Sequence, residues 1–252
     1  MRVDFYLKEY GAMSIDRKIH YCWFGKSPKP DSVLQYLESW KRKLPKYEIT
    51  EWNESNFDID VCKYVREAYD SKKYAFVSDY ARLLALYNHG GIYLDTDVEV
   101  RNNLDPLLKT GKLTFGFEEL NFIATSTIIA PKSSAFIKQF LDSYHARSFI
   151  SSTGELDTST NVQALTRLLE DIGLEKNGRY QRLSFEGEDI IILEQDRLSP
   201  FDYINYRDRS SANTYTVHHF SNSWASANSL RKSKIKKIIG KNNLRILRKI
   251  FS

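Results

Sequence analysis

A chain of 252 residues that is 42% hydrophobic and 13% aromatic has ample material for one large globular core, and its composition excludes a disordered or low-complexity protein. Two cysteines, Cys22 and Cys62, make no disulfide framework and fit a reducing, cytoplasmic location. The formal net charge of +5 is unevenly spread: residues 229–252 hold nine Lys/Arg and no Asp/Glu, leaving 28 basic against 32 acidic groups elsewhere, a net of −4.

Residues 1–13 scatter charges through "MRVDFYLKEYGAM" and lack the apolar run of a signal peptide. They read as an N-terminal extension, and no stretch of the chain approaches the roughly 18 apolar residues of a membrane span. "KIHYCWF" (18–24) predicts a first strand, closed by Gly25 and a Pro-containing loop. A helix over 31–43 follows, with Val33, Leu34, Leu37 and Trp40 at helical spacing, continued by Leu44. "YEITEW" (47–52) alternates as a strand, and 61–69 reads as a short helix. "KYAFVSDYARLLALYNHGG" is the strongest helix, stopped by Gly90-Gly91, and "IYL" runs on as a short strand. "LTFGFEE" and "FIATSTIIA" are predicted strands, "SSAFIKQFLDSYHARSF" and "TNVQALTRLLEDIG" helices, and "DIIILE" and "YTVHHF" late strands. This alternation predicts one α/β domain over 14–226 with a mixed sheet, followed by a basic tail over 227–252.

"GGIYLDTDVEV" (90–100) carries the clearest chemistry, because it runs an apolar strand into Asp95 and Asp97. Residues i and i+2 of a strand share a face, so the two carboxylates converge if the strand ends there. Converging carboxylates repel unless a cation lies between them, and a hard divalent ion such as Mg²⁺ or Mn²⁺ prefers such oxygen ligands. It would also grip a diphosphate, and ligands bind at the C-terminal ends of strands in open α/β sheets. Asp-Thr-Asp is equally good turn chemistry, and a bare Asp-x-Asp is common. A haloacid-dehalogenase-type phosphatase is excluded, since Glu99 stands where that motif needs Thr or Val and the motif falls too late in the chain.

Asp79 and Arg82 lie three apart on the preceding helix and share a face among apolar neighbours. A charge pair there needs partners. It reads as an ordinary i,i+3 salt bridge, as a cap by Ser78 or Asp79 of a helix that starts later, or as a contact to a polar ligand.

Together "IHYCWFG", "AFVSDYARLLALYNHGGIYLDTDVEV" and "HHFSNSW", in that order, resemble the glycosyltransferases with a DXD sugar-binding motif. That group includes bacterial capsule and O-antigen transferases, yeast Och1-like mannosyltransferases and, more distantly, the catalytic domains of large clostridial glucosylating toxins. The resemblance covers roughly residues 17–225. It implies a GT-A fold, one Rossmann-like α/β domain, and a retaining transfer from a nucleotide-sugar donor. It also implies site roles. Trp23 would stack on the base, while Asp79 and Arg82 would hold the donor sugar and orient the diphosphate. Tyr93 stands inside the motif on the substrate side. Asp95 would contact ribose or sugar, and Asp97 would bind Mn²⁺ or Mg²⁺. The late block would supply His219 and Asn222 to the metal and Trp224 near the phosphates. A one-residue shift there puts His218 and Ser223 in their place. Imidazole among the ligands favours Mn²⁺. Asn161 would touch the donor sugar, although Thr160 or Asn161 also reads as a helix cap.

The tail "SLRKSKIKKIIGKNNLRILRKIF" interleaves apolar and basic residues as one or two amphipathic helices. Such helices lie on anionic membrane surfaces, which suits a lipid-linked saccharide acceptor on the inner face of the cell membrane. The same tail permits nucleic-acid binding, but the acidic body and the Asp-x-Asp block argue against it. A catalytically inactive sugar-nucleotide-binding protein is the remaining alternative. UDP-sugars are the default donor, with capsule, O-antigen or other surface polysaccharide as product.

Overall fold

The structure is a computed structural model that describes residues 14–202 and 207–220. The N-terminal extension, the basic tail, Asn222, Ser223 and Trp224 lie outside the described residues.

Strand β1 (Lys18–Cys22) leads to helix α1 (Asp31–Lys43), β2 (Glu48–Trp52), α2 (Lys63–Asp70) and α3 (Tyr74–His89). Then follow β3 (Gly91–Leu94), β4 (Val98–Val100), α4 (Asp105–Leu108), β5 (Leu113–Gly116), β6 (Thr127–Ala130), α5 (Ala135–Asp142) and α6 (Asn161–Glu170). The chain continues through β7 (Gln181–Phe185), β8 (Glu188–Leu193), α7 (Gln195–Leu198), β9 (Phe201–Asp202), β10 (Arg207–Asp208) and β11 (Thr216–His218). Seven strands form one mixed sheet in the order β2-β1-β3-β6-β5-β8-β7. β1 runs parallel to β2 and β3, β6 is antiparallel to β3 and β5, and β8 is parallel to β5. The C-terminal ends of β1, β2, β3, β5 and β8 therefore meet at one edge. β1 connects outward to β2, and β3 lies on its other side. That reversal is the position where open α/β sheets bind ligands.

The central strands β3, β5 and β6 are buried at every residue because both sheet faces are covered. On β3, Tyr93 joins the core that holds Phe115, Phe136, Phe140, Tyr80 and Tyr144. Ile92 and Leu94 point the other way, into the core of Ile19, Tyr21, Trp40, Leu104 and Ile129. Helix α1 buries Val33 and Trp40 but leaves Leu34 49% exposed, so the apolar stripe is narrower than its sequence spacing predicts. The Trp40 indole N–H donates to the Val98 carbonyl at 2.8 Å and ties α1 to β4.

Two predicted strands are shorter than expected, one ending early and the other beginning late. β5 stops at Gly116, where Leu198 side-chain atoms stand 3.1 Å from the position of a Cβ. A turn follows, with a 3-10 segment over Glu119–Asn121 and positive φ at Asn121. Residues 122–126 form the return limb of that turn rather than part of β6. The helix predicted over 133–149 occupies Ala135–Asp142 and ends in turns after Ser143, whose hydroxyl donates to the Phe140 carbonyl.

Candidate active site at the sheet edge

β3 ends at Leu94, and Asp95-Thr96-Asp97 turn the chain into β4. The Val98 N–H closes this turn on the Asp95 carbonyl at 3.0 Å, and the Asp95 N–H is held by the Ser126 carbonyl at 2.8 Å. The strand and turn readings of the motif thus hold together: the strand delivers Asp95, and the turn brings Asp97 back beside it. β11 pairs antiparallel with β4, setting His218 opposite Val98. Asp95, Asp97 and His218 each offer a ligand atom within 4.8 Å of the others. His218 Nε2 lies 3.2 Å from Asp97, and its Nδ1 is buried without a hydrogen-bond partner among the described residues.

The imidazole at this cluster is His218, not His219, which corrects the first choice made from sequence. Neighbours on a strand face opposite ways. His219 Nε2 instead meets Glu99 at 3.0 Å, with its ring stacked 5.1 Å from Tyr36. Burial opposes charging His218, but Asp97 more than offsets it, with Asp95 and Glu118 adding, and lifts its pKa to about 9.

Arg82 links the helix to the cluster. Its Nη2 lies 2.9 Å from Asp79 and 3.4 Å from Asp95, and its Nη1 donates to the Thr125 carbonyl at 2.7 Å. Its Nε donates to the Ser78 carbonyl at 3.3 Å, and the guanidinium lies 4.6 Å from the centre of the Tyr93 ring. Burial opposes the charge, yet Asp95, Tyr93 and Asp79 hold this guanidinium firmly protonated. The i,i+3 salt bridge is present, and α3 begins at Tyr74, so neither Ser78 nor Asp79 caps it. With these partners Arg82 faces inward and braces two carboxylates. These contacts give it a positioning role, and the reach to the sugar and diphosphate expected from the resemblance is left to the proposal. Tyr93 is placed in the same manner: it is 1% exposed, and its hydroxyl donates to Asp95 at 2.9 Å. Through this bond it orients that carboxylate.

Asp79 also accepts from the Asn161 amide at 3.0 Å, which joins α6 to α3. Burial raises the Asp79 pKa despite Arg82. Thr160, not Asn161, caps α6, its hydroxyl accepting from the Gln163 N–H. Among the described residues, Asn161 is 5% exposed with no partner for its Oδ1, and the Ser126 hydroxyl is likewise buried and unpartnered beside Asp95. Trp23 follows β1 at the same edge, half-buried, with its indole N–H donating to the Ser27 carbonyl at 2.7 Å. Glu118 follows β5 there. Burial pushes its carboxyl up to about 7, with His218 opposing and Asp95 and Glu119 adding. The structure thus brings Asp79, Arg82, Tyr93, Asp95, Asp97 and Asn161 into one network and adds His218 and Ser126. "GFEE" repeats the pattern of a strand running into carboxylates, which is the signal that points to Glu118.

Residues 30–113 match the model of a glycosyltransferase sugar-binding region containing a DXD motif. The segment includes Asp79, Arg82, Tyr93, Asp95 and Asp97. Among curated proteins, the subversion of eukaryotic traffic protein A of Legionella pneumophila subsp. pneumophila (strain Philadelphia 1) is 32% identical over 111 residues. That match covers 33% of this chain and only 17% of the Legionella protein. Among solved structures, the PaToxG glycosyltransferase superposes with a TM-score of 0.51 at 18% identity, covering 68% of this chain and 74% of that one. The galactosyltransferase LgtC, solved with donor and acceptor sugar analogs, gives a TM-score of 0.41 at 13% identity, covering 86% of this chain and 93% of its own. The fold is the GT-A fold, and residues 30–113 carry a glycosyltransferase sugar-binding region at its centre.

Proposed function

We propose that this glycosyltransferase moves a hexose or N-acetylhexosamine from a nucleotide sugar, with a UDP-sugar as the default, to a saccharide acceptor, with retention at the anomeric carbon. The observation that carries the proposal is the convergence of Asp95, Asp97 and His218 within 4.8 Å where β3 ends. Arg82 is already shared between Asp79 and Asp95, so it has little charge left for a diphosphate. Two carboxylates at a phosphate site repel the ligand unless a cation intervenes. Two carboxylates and an imidazole suit a divalent ion of the Mn²⁺ or Mg²⁺ kind, with the nitrogen favouring Mn²⁺. Such an ion supplies Lewis-acid neutralisation of the charge that builds on the leaving diphosphate.

The chain's own groups then divide the work. Asp97 and His218 would hold such an ion, and Asp95 beside them would serve ion or sugar. Tyr93 and Arg82 fix Asp95 so that no reorganisation is needed during transfer. Asp79 and the free Oδ1 of Asn161 turn toward the donor sugar, and Trp23 stacks on the base at the end of β1. The leaving phosphate takes the acceptor proton, so no enzyme nucleophile is assigned. Asn222 and Trp224 complete the metal and phosphate contacts in this proposal. Membership of the capsule, O-antigen or Och1-like group, a lipid-linked acceptor and a cytoplasmic site on the inner membrane face also belong to the proposal.

A panel of UDP- and GDP-sugars incubated with the protein and Mn²⁺ tests this through released nucleotide. One donor should be hydrolysed slowly, and EDTA or Asp97→Ala should abolish the release. Absence of any nucleotide-sugar binding, with or without metal, would overturn the reading.

A further inference from the structure

Glu118 is 8% exposed, yet its carboxylate makes no hydrogen bond or ion pair among the described residues. Its backbone is fixed on both sides. The Glu118 N–H donates to the Phe122 carbonyl at 2.7 Å, and its carbonyl accepts from the Asn121 N–H at 3.2 Å. Phe117 N–H donates to the Leu193 carbonyl at 3.0 Å and bridges Ile123. A mobile loop does not explain the lack of a partner. In so little exposed a residue, a carboxylate that lacks such a partner is costly to hold charged and stays available to a ligand. The charges it feels are His218, Asp95 and Glu119, which places it at the metal cluster rather than in the helical layers.

The order of strands along the edge says which part of a ligand reaches it. Running β1, β3, β6, β5, the edge presents Trp23, then Asp95 and Asp97, then Ser126, then Glu118. A nucleotide lying at β1 with its diphosphate at β3 projects its sugar toward β6 and β5. We propose that Glu118 accepts a hydrogen bond from a sugar hydroxyl on the far side of the metal centre from the base, and thereby sets which saccharide the enzyme takes. The proposal rests on the transferase reading above. The hydroxyl belongs either to the donor hexose or to the acceptor.

Calorimetric titrations of wild type, Glu118→Ala and Glu118→Gln with UDP and with UDP-hexoses, all with Mn²⁺, separate the sources. UDP should bind all three within twofold. If the donor hexose supplies the hydroxyl, the affinity gained from the sugar falls about tenfold in E118A, the size of one hydrogen bond, and is partly restored in E118Q, whose amide oxygen still accepts but carries no charge. If the acceptor supplies it, donor affinities match, but stimulation of nucleotide release by free mono- and disaccharides disappears in E118A. Equal donor affinity and equal release in all three proteins overturns the proposal. Wild type binding UDP but no UDP-sugar overturns it as well, whereas wild type binding neither overturns the transferase reading itself. Thermal melts give the second readout. Removing an unpartnered carboxylate beside Asp95 and Glu119 leaves E118Q melting at or above wild type, and a fall of several degrees would mark a structural role instead.

Discussion

At Arg82 one guanidinium faces Asp79 at 2.9 Å and Asp95 at 3.4 Å while its own side chain is only 6% exposed. Removing it strands two carboxylates in a poorly hydrated place. Arg82→Ala should therefore cost about 3–5 kcal/mol of stability, the range for breaking one side of a buried ion pair. Arg82→Lys is the sharper test. It keeps the charge but not the fork, and an ammonium cannot face Asp79, Asp95 and the Thr125 carbonyl together. It should lose less stability than the Ala variant, yet turnover should fall about tenfold or more because Asp95 is no longer fixed. Denaturant melts and donor hydrolysis measured on both variants check this. Equal turnover in R82K and wild type would show that charge alone suffices. Spacing puts Asp79 and Arg82 on one helix face and leaves the salt-bridge, cap and ligand readings open, and it is the resemblance of the motifs that joins them with Asp95 as a site. Neither shows Arg82 and Tyr93 turned inward, since the Thr125 carbonyl and Asn161 that complete the network lie far away in sequence. The choice between His218 and His219 fails for the same reason. It depends on the register of β11 against β4, a pairing across more than a hundred residues.

Elements with strong period were legible, and those defined by their neighbours were not. Helices α1 and α3 follow the 3.6-residue spacing of Val33, Trp40, Val77, Tyr80 and Leu83, and Gly90 ends α3 with φ +62°. Strand β7 was missed because it lies at the sheet's edge and presents alternate polar residues to solvent. The Gly90-Gly91 pair does more than stop a helix. Gly91 has φ +104°, and a Cβ there would stand 2.6 Å from the Lys18 carbonyl oxygen on β1. Its replacement strains the backbone and forces apart the two strands that flank the site. Gly91→Ala should cost at least about 2 kcal/mol and reduce donor turnover, since a strained φ alone is worth about 1–3 kcal/mol. Gly154 is the control, with φ +85° and nothing within 4 Å of a Cβ. Gly154→Ala should cost less, through strain only, with turnover unchanged. Equal losses for the two in urea melts would mean that the close approach of β1 and β3 at Gly91 is unimportant.

Across the whole molecule, charge divides along the chain rather than averaging to +5: residues 229–252 hold nine Lys/Arg and no Asp/Glu, against a net of −4 in the rest. An acidic body repels an anionic surface, so a basic end segment sets which part of the chain meets one. Each Lys or Arg near an anionic bilayer contributes about 1 kcal/mol at moderate salt. The apolar residues Ile235, Ile238, Ile239, Leu244, Ile246, Leu247, Ile250 and Phe251 add interfacial burial to that attraction. Deletion of 229–252 should therefore cut co-sedimentation with phosphatidylserine vesicles at least tenfold and leave hydrolysis of a soluble donor unchanged. For the full chain, raising salt from about 0.1 M to 0.5 M should release part of the protein, because screening removes the charge term and leaves the apolar one. Binding that survives the deletion would move the membrane contact to the body. Binding to DNA with a steeper salt dependence than to vesicles would favour a nucleic-acid partner instead. Because the truncated protein keeps every residue assigned to the donor site, lost hydrolysis in it would show that the tail supports the catalytic domain itself.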